Sequence, residues 1–421
     1  MNKKRVLSLI LMLMIVVCCV TEALVIGELK TQNAAMTARL EELDAGISEN
    51  AQAIDEIDTE VKKMAEEEIP DIYLPKDIYV CAGIEMEIYN DCVCNGVDPE
   101  QYDFYWESEI GDCMNEKYRI YPQSDQIGEY DLTLHIYNYR LEEVASAATT
   151  LHVVPNVFER EEEGRVKLLT IGDSLSAGTD WLSYTRLLSG DKLFHVGTLG
   201  DTEGLMNEGR PGMAATDYLD GTLYGEKAAT PFYNPETKEF DWNYYKRTTG
   251  VEPDVVQVFL GTNGLEMDPS KNLESIAAIV DKIREADPEI PVLVVEPIFP
   301  ACQDGMARQQ NITGFEGLHG MWSLARAQMI FHLVSNMEKR FASYENVTIV
   351  PASVMFDRDY GFDQSAIRLN PHSEQFENVP AQGIHPSAGG YDQIGDAIYS
   401  TLCYLIEEGK IQTTLTEETS E

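Results

Sequence analysis

From Val166 onward the chain repeats one rhythm, an apolar run followed by a helical stretch. The runs are "VKLLTIG", "KLFHVGT", "DVVQVFLGT", "PVLVVEPIF" and "VTIVPA". A strand that alternates apolar and polar residues buries one face; a strand that is apolar throughout buries both. Parallel neighbours need a long crossover, and a helix supplies it. The pattern predicts an α/β domain with a flavodoxin-like, doubly wound parallel sheet. The segment "GYDQIGDAIYSTLCYLIEEG" closes it as a helix with Ile394, Ile398, Leu402 and Leu405 on one face.

Sheets of this kind keep their sites at the carboxyl ends of the strands. The first run ends in "GDSLSAG", with Ser174 at its tip. Alone, Ser174 reads equally as a helix N-cap or as an exposed nucleophile. The second run leads into "NEGRPG", residues Asn207 to Gly212, just before a helix, and the third ends in "FLGTNG", which carries Asn263. The last loop, "GIHPSAGGY", carries His385 ahead of the closing helix. Singly, Asn263 is a turn residue, Gly212 a helix-entry glycine and His385 a surface histidine. Together they collect on one side of the sheet. Asp173 is expected to cap or brace the turn, and Trp181 and Tyr184 to lie in the core. His195, His319, His332 and His372 belong to no motif and are expected to be non-catalytic.

With these four blocks the chain resembles the SGNH, or GDSL, hydrolase family, whose blocks occur in this order. The likeness spans residues 165–408. "NEGRPG" is similar to the branch whose second block reads His-or-Asn, Glu, Gly, x, x, Gly, which includes extracellular carbohydrate esterases. The resemblance implies a serine esterase with Ser174 as nucleophile and His385 as its base. It also implies an oxyanion hole made by the Ser174 and Gly212 backbone N–H groups and the Asn263 amide, with no cofactor and no metal. The chemistry wants these groups. A serine hydroxyl is a poor nucleophile until a base takes its proton, and fixed donors stabilise the tetrahedral oxyanion.

Two positions depart from the family pattern. Gly264 stands where an Asp commonly follows the Asn of the third block, and Gln382 stands where an Asp commonly lies three residues before the His. Gln382 can orient the ring only by accepting from Nδ1–H through its amide oxygen. A Ser-His dyad, with Gln382 or a backbone carbonyl orienting the ring, is the simplest reading. Asp363, Glu374 and Glu377 are the other candidates for a third member. The resemblance points to short-chain acyl esters, acetyl on carbohydrate first. Alternatives are a lipase or lysophospholipase-type esterase, or a catalytically weakened glycan-binding surface protein.

The N-terminus sets the location. "MNKKR" precedes an apolar run from Val6 to Gly27. A basic start before an apolar stretch marks export, and this one nearly reaches the ~20 residues that span a bilayer. We expect residues 1–27 to be a signal-anchor with the rest of the chain extracellular, a cleaved signal peptide and a secreted protein being the alternative. Residues 28–69 follow a heptad pattern, with Asn33, Leu40, Ile47, Ile54, Val61 and Glu68 at a and Leu29, Met36, Leu43, Asn50, Ile57 and Met64 at d. Such a narrow stripe needs a partner helix, so a coiled-coil stalk roughly 60 Å long and a homodimer or homotrimer are expected. Pro70 ends the helix.

Residues 70–156 read as short β-branched and aromatic strands, with Leu132, Leu134 and Ile136 alternating with polar residues, and predict a small all-β, immunoglobulin-like sandwich. Residues 157–164 are expected as a linker and 409–421 as a disordered acidic tail. The eight cysteines have no zinc spacing, and their pairing cannot be read from sequence. With 31 basic against 72 acidic residues, the net charge of −41 argues against nucleic acid as a partner.

Overall fold

The computed structural model describes residues 3–64, 69–95, 98–161, 164–178, 180–223, 226–227, 230–265, 268–308 and 322–413. They fall into two compact units, Met1–Glu68 and Ile69–Glu421. In the first, the expected membrane run and stalk form one unbroken helix, α1, Lys3–Met64. It contains no proline, and Gly27 and Gly46 each cost a helix only about 1 kcal/mol. Its apolar window has a mean hydropathy of 2.7, enough in length and composition to cross a membrane, which signal sequences near an N-terminus also satisfy. Of the heptad positions, Leu29, Met36, Leu40, Leu43, Ile47 and Ile54 are 54–67% exposed. Glu68 lies outside the described residues.

The second unit opens with a short antiparallel pair, Asp71–Ile72 with Cys94–Asn95, and two larger β-sheets. The strands of the larger sheets are β1 (Asp77–Cys81), β2 (Met86–Tyr89), β3 (Asp103–Glu107), β4 (Asp112–Cys113), β5 (Lys117–Ile120), β6 (Gly128–Tyr137) and β7 (Glu143–Val154). One sheet has the order β1-β7-β6-β3 and the other β2-β5-β4. The pairs are antiparallel except β1 with β7, which is parallel. Leu132, Leu134 and Ile136 are buried, as their alternation requires. They share a core with Val80, Ile88, Trp106 and Tyr118 from both sheets.

That core runs without a break into the α/β part. The expected linker is not free. Val157 and Phe158 are buried, and the Phe158 ring packs against Tyr399 at 5.5 Å. Lys192 Nζ donates to the Phe158 carbonyl at 2.8 Å and to the Arg160 carbonyl at 2.5 Å. The charge run after Phe158 suggested a solvated tether, but the two apolar residues ahead of it supply the burial. Of the expected tail, Ile411 is buried and Thr413 Oγ1 accepts from Gly164 N–H at 3.2 Å, while Gly409, Lys410 and Gln412 are exposed. Residues 414–421 lie outside the described ones.

All five predicted apolar runs are strands: β8 (Val166–Gly172), β9 (Leu193–Val196), β11 (Val255–Phe259), β12 (Val292–Val295) and β13 (Val347–Val350), with a short β10 (Glu208–Gly209) between. The sheet order is β9-β8-β11-β12-β13 and every pair is parallel. The helices are α2 (Ser174–Ala177), α3 (Asp180–Leu188), α4 (Ala215–Asp220), α5 (Trp242–Thr249), α6 (Pro269–Ala286), α7 (Gln303–Arg308), α8 (Trp322–Phe341) and α9 (Ala388–Glu407). The fold is therefore the expected doubly wound α/β sheet. In α9 the four predicted apolar positions, Ile394, Ile398, Leu402 and Leu405, are buried. An unanticipated hairpin, β14 (Gln364–Arg368) with β15 (Phe376–Pro380), precedes α9. Sheet order reverses between β8 and β11, which opens a crevice at their carboxyl ends.

Candidate active site

The apolar run of β8 stops at Gly172, and Asp173 then caps α2, its Oδ1 accepting from Leu175 N–H at 2.9 Å. Because Asp173 is the cap, Ser174 becomes the first helical residue and its hydroxyl is not spent on capping. Its Oγ lies 3.0 Å from His385 Nε2. His385 stands two residues before Ser387, whose Oγ caps α9 by accepting from Gly390 N–H at 3.2 Å. The loop is held by Ala301 N–H to the Gly383 carbonyl, 3.1 Å, and Ser387 N–H to the Gly361 carbonyl, 2.9 Å.

Asn263 follows β11, so the two strands flanking the reversal present Ser174 and Asn263 side by side. The Asn263 amide donates to Asp173 Oδ2 and to the Met213 carbonyl, each at 3.2 Å. Its own carbonyl accepts from Asn272 Nδ2 at 3.0 Å, and the Arg326 guanidinium donates to the Thr262 carbonyl. Gly212 has φ +80°, a left-handed conformation that glycine adopts without strain. Its loop is fixed by Arg210 N–H to the Gly172 carbonyl at 2.9 Å. The other glycine of the block permits close approach: a Cβ on Gly209 would sit 2.5 Å from the Ser176 carbonyl carbon. The structure thus gathers Ser174 and His385 by direct contact, Asn263 through Asp173, and the Gly212 loop through Gly172 and Met213.

Gln382 is not joined to His385. Its backbone carbonyl abuts Gly305, and no hydrogen bond links its side chain to the ring. Among the described residues His385 Nδ1 has no hydrogen-bond partner. Of the other candidates, Asp363 contributes only its carbonyl, to Ala381 N–H, while Glu374 and Glu377 are exposed at the β14–β15 hairpin. Burial alone holds the His385 imidazolium below the usual histidine range, with no described carboxylate near enough to oppose it. Burial pushes the Asp173 carboxyl up to about 7, although the Leu175 N–H, Arg326 and Asn263 favour its charged form. His195 is fully buried beside Thr185, and desolvation lowers it to about 3. His332 lies near Ser270 and His372 is exposed, while His319 falls outside the described residues. Trp181 is core, as expected, whereas half-buried Tyr184 donates to Asp396 at 2.8 Å. Among the described residues no group of three His, Cys, Asp or Glu is arranged to hold a metal.

Sequence reasoning passed over the support of this loop. Glu208 is fully buried yet satisfied: Oε1 accepts from Thr198 N–H at 2.7 Å and Tyr245 OH at 2.9 Å, and Oε2 accepts from Thr198 Oγ1 at 3.0 Å and Arg210 at 2.8 Å. Tyr218 OH reaches the Gly172 carbonyl at 2.7 Å and the Glu208 carbonyl at 2.5 Å, tying the first two blocks together. A charge flanked by glycine in "NEGRPG" was the available signal for Glu208. Tyr218 and Tyr245 carried none, because their role depends on tertiary position.

No protein-family model matches the chain, and no curated protein does. Solved structures do. A family 3 carbohydrate esterase from Talaromyces cellulolyticus is 19% identical, over 58% of this chain and 99% of that one, with a TM-score of 0.35. A family 3 carbohydrate esterase from Clostridium thermocellum is 16% identical, over 57% and 98%, with a TM-score of 0.36. A lipase/acylhydrolase from Enterococcus faecalis is 15% identical, over 60% and 100%, with a TM-score of 0.35.

Proposed function

We propose that the chain is a cell-surface serine esterase of the SGNH, or GDSL, type that removes short acyl groups, acetyl foremost, from carbohydrate. The observation that carries this reading is the 3.0 Å contact between Ser174 Oγ and His385 Nε2 where the sheet order reverses. His385 takes the hydroxyl proton as Oγ attacks the ester carbonyl, then returns it to the leaving alcohol. Water, activated by the same nitrogen, cleaves the acyl-enzyme. The oxyanion is received by the Ser174 and Gly212 N–H groups and by the Asn263 amide, which turns one proton from the Met213 carbonyl toward substrate. With no described carboxylate against Nδ1, the pair works as a dyad.

The setting belongs to the same proposal. The apolar part of α1 anchors the protein in the membrane, and its exposed heptad stripe pairs with other copies as a dimeric or trimeric coiled coil. The two-sheet region is an immunoglobulin-like sandwich. A strongly acidic chain is suited to a neutral glycan ester and unsuited to nucleic acid.

Full-length protein in detergent should hydrolyse p-nitrophenyl acetate faster than the octanoate, release acetate from an acetylated polysaccharide, and take up a fluorophosphonate probe at Ser174. Preference for the octanoate would move the substrate class to lipid. Absence of both turnover and labelling would remove the esterase reading.

A further inference from the structure

We propose that Cys81 and Cys403 form a disulfide that staples the first β-sheet to the closing helix. Cys81 is the last residue of β1, and Cys403 lies on the inward face of α9; both are completely buried. The two elements touch at this point. Cys81 N–H donates to Ser400 Oγ at 3.1 Å, and Ser400 lies three residues before Cys403, on the same helix face. The Cys81 side chain acts on the Cys403 thiol and raises it, while Cys81 Sγ faces the Ala82 carbonyl at 3.7 Å. Both thiols also act electrostatically on the Tyr399 hydroxyl, and Tyr399 lies one helical turn before Cys403 on the same buried face of α9.

The remaining described cysteines are placed differently. Cys92 Sγ is directed at the Phe356 carbonyl, 3.4 Å, and Cys113 Sγ at the Phe104 carbonyl, 3.8 Å. Neither Cys92 nor Cys94 is acted on by another thiol.

The reaction is a thiol–disulfide exchange with an external disulfide of the glutathione class. The Cys81 and Cys403 thiols lose two protons and two electrons and become one S–S bond. The external disulfide takes both up and leaves as two thiols. Exchange requires a thiolate, and burial together with the Cys81 contact raises the Cys403 thiol well above its ordinary range. The bond therefore forms while α9 is still docking. Once made, it is shielded from reductants by the same burial. It closes a loop from the first sheet of the unit to its last helix, where constraining the unfolded chain has a large effect. The proposal does not depend on the reaction catalysed at Ser174.

The test uses the full-length chain. One sample is recovered from membranes of exporting cells into an alkylating agent. A second is unfolded mildly, re-equilibrated in an oxidised and reduced glutathione buffer, and then alkylated. After digestion without reductant, one peptide pair linking Cys81 to Cys403 is expected in at least the glutathione sample. The linkage should vanish on reduction. Reduction of the unfolded chain before refolding should also lower Tm by roughly 4–8 °C in the wild type and leave the Cys81→Ala/Cys403→Ala double variant unmoved. Full alkylation of both residues in both samples overturns the proposal, as does either residue linked to Cys92, Cys94, Cys113 or Cys302. If the double variant does not fold, the peptide linkage in the wild type decides alone.

Discussion

Asp173 gives one carboxylate oxygen to Leu175 N–H and the other to the Asn263 amide, so a single side chain sets both the turn of Ser174 and the amide of Asn263, the proposed nucleophile and oxyanion donor. Ser174→Ala should abolish ester hydrolysis while leaving the melting curve intact, because the hydroxyl bonds only to His385. Asn263→Ala should lower kcat about 10²–10³-fold with little change in KM, the usual cost of one lost oxyanion donor. A pure KM effect would place Asn263 in substrate binding instead. The base must be neutral and burial depresses His385, so the acidic limb of kcat/KM should fall below the ordinary histidine value of about 6.5. A limb near 7 that disappears in Asp173→Asn would assign it to Asp173, whose carboxyl burial pushes up to about 7. Ser174 and Asn263 could be singled out in the sequence because each follows an apolar run, and His385 because it precedes the closing helix. The role given to Gln382 rested on spacing alone. Spacing could not foresee that this loop turns its backbone toward Gly305.

Periodic elements were read well, and departures came where a few residues contradict their surroundings. The five apolar strands and the inward face of α9 followed from burial pattern alone. Val157 with Phe158, and Ile411, are too few to make a period, so segments rich in charge hid the residues that dock them. Leu402→Ala, at the centre of the α9 face, should cost about 2–5 kcal/mol in denaturant unfolding, with kcat per folded molecule retained. The exposed stripe of α1 carries its own test. A peptide of residues 28–68 should sediment as a helical oligomer with a concentration-dependent Tm; a monomer at high micromolar concentration would remove the coiled coil.

At the scale of the molecule, the folded state holds protons that the unfolded chain has released. Glu296 is fully buried and hydrogen-bonded by Tyr73 and by Ser353 Oγ, and burial raises its carboxyl to about 8; Asp173 stands at about 7. Between pH 4 and 8 the unfolded state binds fewer protons at these sites, so stability falls as pH rises through the folded values, by about 1.4 kcal/mol per unit for each group at most. Glu296→Gln should therefore gain on the wild type in Tm as pH goes from 5 to 8; a constant difference would mean that Glu296 ionises normally. The contacts of α9 are equally collective. Tyr399 donates to Asn156, Gln393 to Tyr89 OH, and the Tyr404 ring lies 4.5 Å from Tyr79, all reaching into the β-rich part. A fragment beginning at residue 165 should accordingly be insoluble where one beginning at 69 is soluble. A chain cut between the two halves would keep His385 but lose the floor beneath the helix that follows it, so a substitution deep in the first sheet can be felt at the loop of His385 through α9.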